Sequence, residues 1–369
     1  MSSFTKESLL KSTLNKRSKV PSEFHALFDK ATIPFPSFEF ALLGKRELTH
    51  YSLHNWDLVS NLTPPTICLH GLNGSRLLFS DLVSVVERHY PHIPLLVIDL
   101  YGHGLSSCPS KKYNLDLFVT QIEKLLKYLD VAPTSMVNII GFSLGGAVAV
   151  GFARKFPRRI EKLVLIAPAG FVPIAASKQP ASSSDILGSD DGSTPAPGLG
   201  GISSQVKLVK WIPAFILTPI MKSIFKKHFA TAPQLELPAG VPDHIKREHG
   251  AQMERLMWQS FIKKGTFSAT ISIVKHFPLF NMEKEYTAVL NSVVGQERPV
   301  LLIWGDEDRV SPLWYSGEKV RKYFRNSFLL KVEDAGHVVL AEQPSIVFSS
   351  ILSFLQSPSD FRFYPPGSC

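Results

Sequence analysis

The chain has 369 residues, 44% of them apolar and 11% aromatic, enough to bury a sizeable core and too many for a wholly disordered polymer. It contains no run of eighteen apolar residues, so a conventional membrane-spanning helix is not expected. Its three scattered cysteines, Cys68, Cys108 and Cys369, suit neither a disulfide framework nor a CxxC zinc site. The formal charge of +9 favours an anionic partner, and most of the excess lies between Lys207 and Lys275, where eleven Lys/Arg meet four Asp/Glu.

Residues 1–37 are basic and Ser-rich and lack the apolar stretch of a secretory signal, so they read as a poorly ordered arm, with a mitochondrial presequence as the other reading. The expected location is intracellular, in the cytoplasm. From Phe38 the pattern becomes regular. FEFALL and LTHYSL predict two opening strands, and TICLHG (66–71) predicts a buried parallel strand. The apolar spacing of SRLLFSDLVSVVERHY predicts a helix with Ser75 as its N-cap. LLVIDL (95–100), MVNIIGF (136–142) and KLVLIAP (162–168) predict further strands, with helices over LDLFVTQIEKLLKYL and GGAVAVGFARKF between them. Strand and helix in alternation predict an α/β fold: a mostly parallel central sheet with helices on both faces.

The alternation stops after Gly170 and returns near Pro299 with VLLIWG, SFLLKVE and the closing helix IVFSSILSFL. The sequence therefore reads as a core of 38–170 and 285–357, a lid or cap insertion of 171–284, and a tail of 358–369. Within the insertion, 176–205 is a low-complexity Ser/Gly/Pro loop. LVKWIPAFILTPIMKSIFKKHF (208–229) is apolar but interrupted by Pro213 and Pro219. Only eleven residues separate Lys210 from Lys222, too few to span a bilayer. Residues 207–229 read either as a lid resting on an anionic membrane surface or as cap helices packed on the core.

Chemistry gathers at the ends of the predicted strands. GFSLGG (141–146) joins an apolar strand to a helix, the setting of a nucleophile elbow. Ser143 would stand on a strained turn that Gly141 and Gly145 leave room for, with the helix N-terminus facing the reaction centre. A serine nucleophile needs a base and the base needs an orienting acid. His337 follows the last strand, and Asp308 follows the one before, with Asp306 and Glu307 as neighbouring alternatives for the acid. HGLNG (70–74) is placed to offer the Leu72 amide, with that of Leu144, to an oxyanion. DLYGHGLS (99–106) reads as a structural turn. His89 and His92 lack partners at metal-ligand spacing, and no basic–aromatic interleaving marks a nucleic-acid module, so neither a metal nor a nucleic acid is expected.

In this order HGLNG, DLYGHGLS, GFSLGG, WGDEDRV and GH resemble the α/β-hydrolase family, in the branch of serine esterases, monoacylglycerol lipases and carbon–carbon bond hydrolases. The resemblance covers roughly 38–170 and 285–357. It implies Ser143 as nucleophile, Asp308 as acid, His337 as base, Leu72 and Leu144 as oxyanion amides, and no cofactor. It disfavours the epoxide hydrolases and haloalkane dehalogenases, which carry Asp where this chain has Ser143. The long insertion departs from the family's usual lid. The expected activity is hydrolysis of a small-molecule or lipid ester with a hydrophobic acyl group. The alternatives are carbon–carbon hydrolysis or acyl transfer on the same residues, and a non-catalytic ligand-binding protein on a hydrolase fold.

Overall fold

A computed structural model describes residues 39–173 and 258–357, with Ser223 and Leu256 besides. The expectations for the N-terminal arm, the 176–205 loop, the 207–229 segment and the tail lie outside the described residues, Ser223 apart. The chain divides into two compact units. Of the described residues, those up to Ser135 and from Trp258 to Phe277 form one, and those from Met136 to Pro173 and from Pro278 onward form the other.

The first unit holds four strands, β1 (Glu39–Leu42), β2 (Leu48–His54), β3 (Thr66–Leu69) and β4 (Leu95–Ile98), in the order β1-β2-β4-β3. β1 and β2 form an antiparallel hairpin, β2 runs antiparallel to β4, and β3 lies parallel to β4 with Cys68 opposite Val97. Every residue of β3 and β4 is buried, as their sequences, apolar but for Thr66, require. The expected helix after Ser75 begins differently. Ser75 precedes a 3-10 turn, Arg76–Phe79, and caps nothing with its hydroxyl, and α1 starts at Ser80 and ends at His89. In α2 (Leu115–Tyr128) Asn114 Oδ1 accepts from the Leu117 amide at 3.0 Å, and the buried stripe runs through Leu115, Phe118, Ile122 and Leu125. Behind the hairpin turn Glu47 is held by Lys111 and, at 2.9 Å, by Lys124.

The second unit is parallel throughout. β5 (Val137–Phe142), β6 (Ile160–Ile166), β7 (Val300–Gly305) and β8 (Ser327–Val332) lie side by side in that order. Helix α3 (Leu144–Lys155) is buried at every position from Leu144 to Ala153, which explains why its sequence is small and apolar rather than amphipathic. The long interval between β6 and β7 returns through α4 (Thr266–His276, in the first unit), α5 (Glu283–Leu290) and α6 (Val293–Gln296). After β7 come α7 (Glu318–Arg321), then α8 (Val339–Glu342) and α9 (Pro344–Gln356) beyond β8. Pro344 opens α9, where its missing N–H costs nothing. Among the described residues no helix is long and apolar enough to cross a membrane.

Candidate active site

The carboxyl ends of β5, β7 and β8, all in the second unit, bring three polar side chains together. Ser143 follows β5 at φ 51° and ψ −113°, a conformation that a residue with a Cβ adopts only when its surroundings enforce it. Its amide donates to Ile166 O at 2.9 Å, and its carbonyl accepts from Ala147 and Ala169. The turn is tight enough that a Cβ on Gly141 would lie 2.5 Å from the Gly145 carbonyl oxygen, and one on Gly146 would lie 2.7 Å from Pro168 Cβ. The second glycine the turn requires bare is thus Gly146, where Gly145 was expected. Gly145 contributes the backbone that Gly141 approaches.

Ser143 Oγ lies 3.1 Å from His337 Nε2, and His337 Nδ1 lies 2.8 Å from Asp308 Oδ2. The Asp308 carboxylate is fully buried, and its other oxygen accepts from the Val310 and Ser311 amides, each at 2.8 Å. A carboxylate only accepts, so Nδ1 carries the imidazole proton and Nε2 presents a lone pair to the serine hydroxyl. Of the three candidate acids, Asp308 is the one that reaches the histidine. Asp306 faces Lys331 at 3.6 Å and the Ala335 amide at 3.5 Å, while Glu307 joins the turn through its amide, donating to Ala335 O. Phe142 lies against the His337 ring, with centroids 5.2 Å apart.

Residues absent from the sequence reading hold the histidine loop. Glu342 in α8 accepts from the amides on either side of His337, those of Gly336 and, at 3.2 Å, Val338. At the end of β7 a Cβ on Gly305 would fall 2.2 Å from Ala335 O and 2.3 Å from Gly336 O. β7 therefore carries glycine where the histidine loop crosses it. A lone Glu five residues after His337 gave no motif to notice.

In the first unit the loop after β3 is fixed by an imidazole. The Leu100 amide donates to His70 Nε2 at 3.0 Å, so the proton sits on Nδ1, which donates to Gly71 O at 2.7 Å. Gly71 O also accepts from the Gly74 amide. A trans peptide points its N–H opposite its C=O, so pinning Gly71 O aims the Leu72 N–H the other way. Neither the Leu72 nor the Leu144 amide has a hydrogen-bond acceptor among the described residues. The turn after β4 is structural, as expected, and centres on buried Asp99. Its carboxylate meets His50 Nδ1 at 2.5 Å and accepts from the Arg76 and Leu105 amides. Burial alone would raise its pKa, but the His50 charge and hydrogen bond hold it well below the usual carboxylate range. Among the described residues no group of three or more His, Cys, Asp or Glu is arranged to hold a metal ion.

The sequence profile of the alpha/beta hydrolase fold family matches residues 64–191 and 245–344, more than half of the chain. The chain belongs to the α/β-hydrolase-fold family. It is similar to Lipase 1 of Psychrobacter immobilis, 24% identical over 279 residues that cover 75% of this chain and 72% of that one. A putative 2-succinyl-6-hydroxy-2,4-cyclohexadiene-1-carboxylate synthase of Bacillus subtilis is 33% identical over 107 residues, 28% of this chain and 36% of that one. The chain spans about a third of the length of several curated relatives it matches. Among solved structures, an alpha/beta hydrolase enzyme from a Medee basin deep-sea metagenome library superposes with a TM-score of 0.60 at 16% identity. That match covers 86% of this chain and 97% of that one, and it speaks for the fold alone.

Proposed function

We propose that the protein is a serine hydrolase that cleaves carboxylic esters of hydrophobic acyl groups through an acyl-enzyme. The observation that carries this reading is the hydrogen-bonded series Ser143–His337–Asp308, with its serine on a positive-φ turn. In the proposed mechanism His337 Nε2 takes the Ser143 proton as Oγ attacks the ester carbonyl. The family resemblance assigns stabilisation of the oxyanion to the Leu72 and Leu144 amides. The resulting imidazolium gives that proton to the leaving alcohol as the C–O bond breaks. Water then attacks the acyl-enzyme, losing a proton to Nε2, and Ser143 leaves with that proton as the free acid departs. Asp308 holds the imidazole in the required tautomer throughout.

Similarity over three quarters of the chain to a protein named a lipase favours an ester over a carbon–carbon substrate. Product analysis separates the remaining alternatives: free acid marks hydrolysis, and a new ester on an added alcohol marks transfer. The deciding test is covalent labelling by a fluorophosphonate, with wild type beside Ser143→Ala and His337→Ala. Wild type should label, Ser143→Ala should not, and His337→Ala should label at least about 10³-fold more slowly. A folded wild type that does not react with the probe would point instead to a ligand-binding protein on a hydrolase fold.

A further inference from the structure

Gln259 lies in a π-helical turn, Trp258–Ile262, and is only 2% exposed, although its side chain ends in a carboxamide. Both ends of its carboxamide are directed at two loops far away in sequence. Its Oε1 accepts from the Gly104 amide at 2.6 Å, and its Nε2 donates to Asn73 O at 3.3 Å and Gly74 O at 3.4 Å. Two neighbours reinforce the same attachments. Thr270 Oγ1 donates to Asn73 Oδ1 at 3.2 Å, and the buried Lys263 ammonium donates to His103 O at 2.9 Å. One carboxamide thus joins the loop after β3 to the turn after β4, and both partners lie in the first unit.

We propose that Gln259 is a positioning residue for the Leu72 amide, an inference that rests on the reading of that amide as an oxyanion donor. The coupling runs through backbone geometry. Asn73 is in the left-handed region at φ 59°, so the loop keeps its shape only while its peptide planes are held. Gln259 holds the carbonyls of Asn73 and Gly74. The Gly74 amide, fixed in turn, donates to Gly71 O, the oxygen opposite the Leu72 N–H. Releasing Gln259 lets that peptide rock, and the direction of the Leu72 N–H is then no longer fixed. Because Gln259 returns from the long interval between β6 and β7, a segment remote in sequence sets the electrostatics of the first strand–helix loop.

The test compares wild type with Gln259→Met, which removes all three bonds, and Gln259→Glu. The latter keeps an acceptor for Gly104 but sets a carboxylate against two carbonyl oxygens. Hydrogen exchange over residues 70–76 and at the Gly104 amide is read beside kcat and KM on an activated acyl ester. Expected is faster exchange over 70–76 in both variants, and a kcat lower by about tenfold to a hundredfold with KM within threefold of wild type. In Gln259→Met the Gly104 amide should also exchange faster. Thr270→Val, which removes one peripheral bond, gives a milder change in the same direction and serves if Gln259→Met does not fold. Unchanged exchange over 70–76, or unchanged kcat in a folded variant, overturns the assignment, as does a rise in KM alone. A wild type without ester turnover would instead defeat the underlying reading, while exchange over 70–76 still reports whether Gln259 holds the loop.

Discussion

The two oxygens of Asp308 do different work, and that division predicts how its amide analogue fails. Oδ1 is committed to the Val310 and Ser311 amides, and Oδ2 to the His337 Nδ1 proton. In Asp308→Asn the remaining carbonyl oxygen satisfies the two backbone amides, so the new NH₂ group faces Nδ1. The imidazole must then accept there and carry its proton on Nε2, opposing the Ser143 hydroxyl with a donor where a base is required. The fold is expected to survive while kcat on an activated ester falls on the order of 10⁴-fold, because tautomer rather than packing is lost. A tenfold loss or less in a variant of unchanged melting temperature would remove Asp308 from this role. Its neighbours explain why spacing alone, which favours Asp308, does not exclude Asp306 and Glu307. Asp306, Glu307 and Asp308 occupy one turn, and consecutive residues of a turn point different ways, which composition and spacing do not encode.

The ends of β7 and β8 meet where backbone approaches backbone, and the two glycines there should respond unequally to substitution. At Gly305 a Cβ would strike the carbonyl oxygens of residues 335 and 336, which cannot move without carrying His337 along. At Gly336 the nearest atoms are the carboxylate oxygens of Glu342, 3.3 Å away at the end of a flexible side chain. Gly305→Ala should therefore cost about 1–3 kcal/mol of stability and slow fluorophosphonate labelling, whereas Gly336→Ala should stay near wild type in both. Denaturant unfolding and the labelling rate measure this, and the reverse ranking would refute the packing argument. Apolar runs made most of the eight strands among the described residues legible in the sequence, because the buried strands β3 to β7 need little beyond hydrophobicity. Contacts between distant segments were not legible. Glu342 grips the histidine loop from the next helix, Gln259 reaches back 186 residues to Asn73, and the choice of Gly146 over Gly145 depends on the position of Pro168. Each is a fact of tertiary geometry with no local periodicity to reveal it.

The whole chain carries +9 at neutral pH, so each proton gained below neutrality adds to self-repulsion. The buried polar network around β4 makes acid more damaging still. His103 has an ordinary pKa of 6.5 and is pushed down to about 3. Burial contributes most, then the adjoining His70 and Lys263, against the smaller pull of the Tyr101 carbonyl and Asp99. His70, 5.2 Å from it ring to ring, is lowered too, again chiefly by burial. Both histidines are therefore neutral in the folded chain at pH values where the unfolded chain protonates them. The contribution of His103 is fully present above about pH 6.5 and is lost as the pH falls toward 3, since in that window the unfolded state binds more protons, and His70 adds a loss of the same sign. For His103 the slope approaches about 1.4 kcal/mol per pH unit. Asp99, held below its ordinary value by His50, adds a loss of the same sign below about pH 4. Unfolding free energy measured from pH 7.5 to 4 should therefore fall steeply in wild type. His103→Gln, which does not titrate, should start lower at pH 7.5 because its ring packing is lost, yet decline more gently below pH 6.5. Parallel profiles for the two proteins would mean that His103 takes up its proton in the folded state as readily as in the unfolded one.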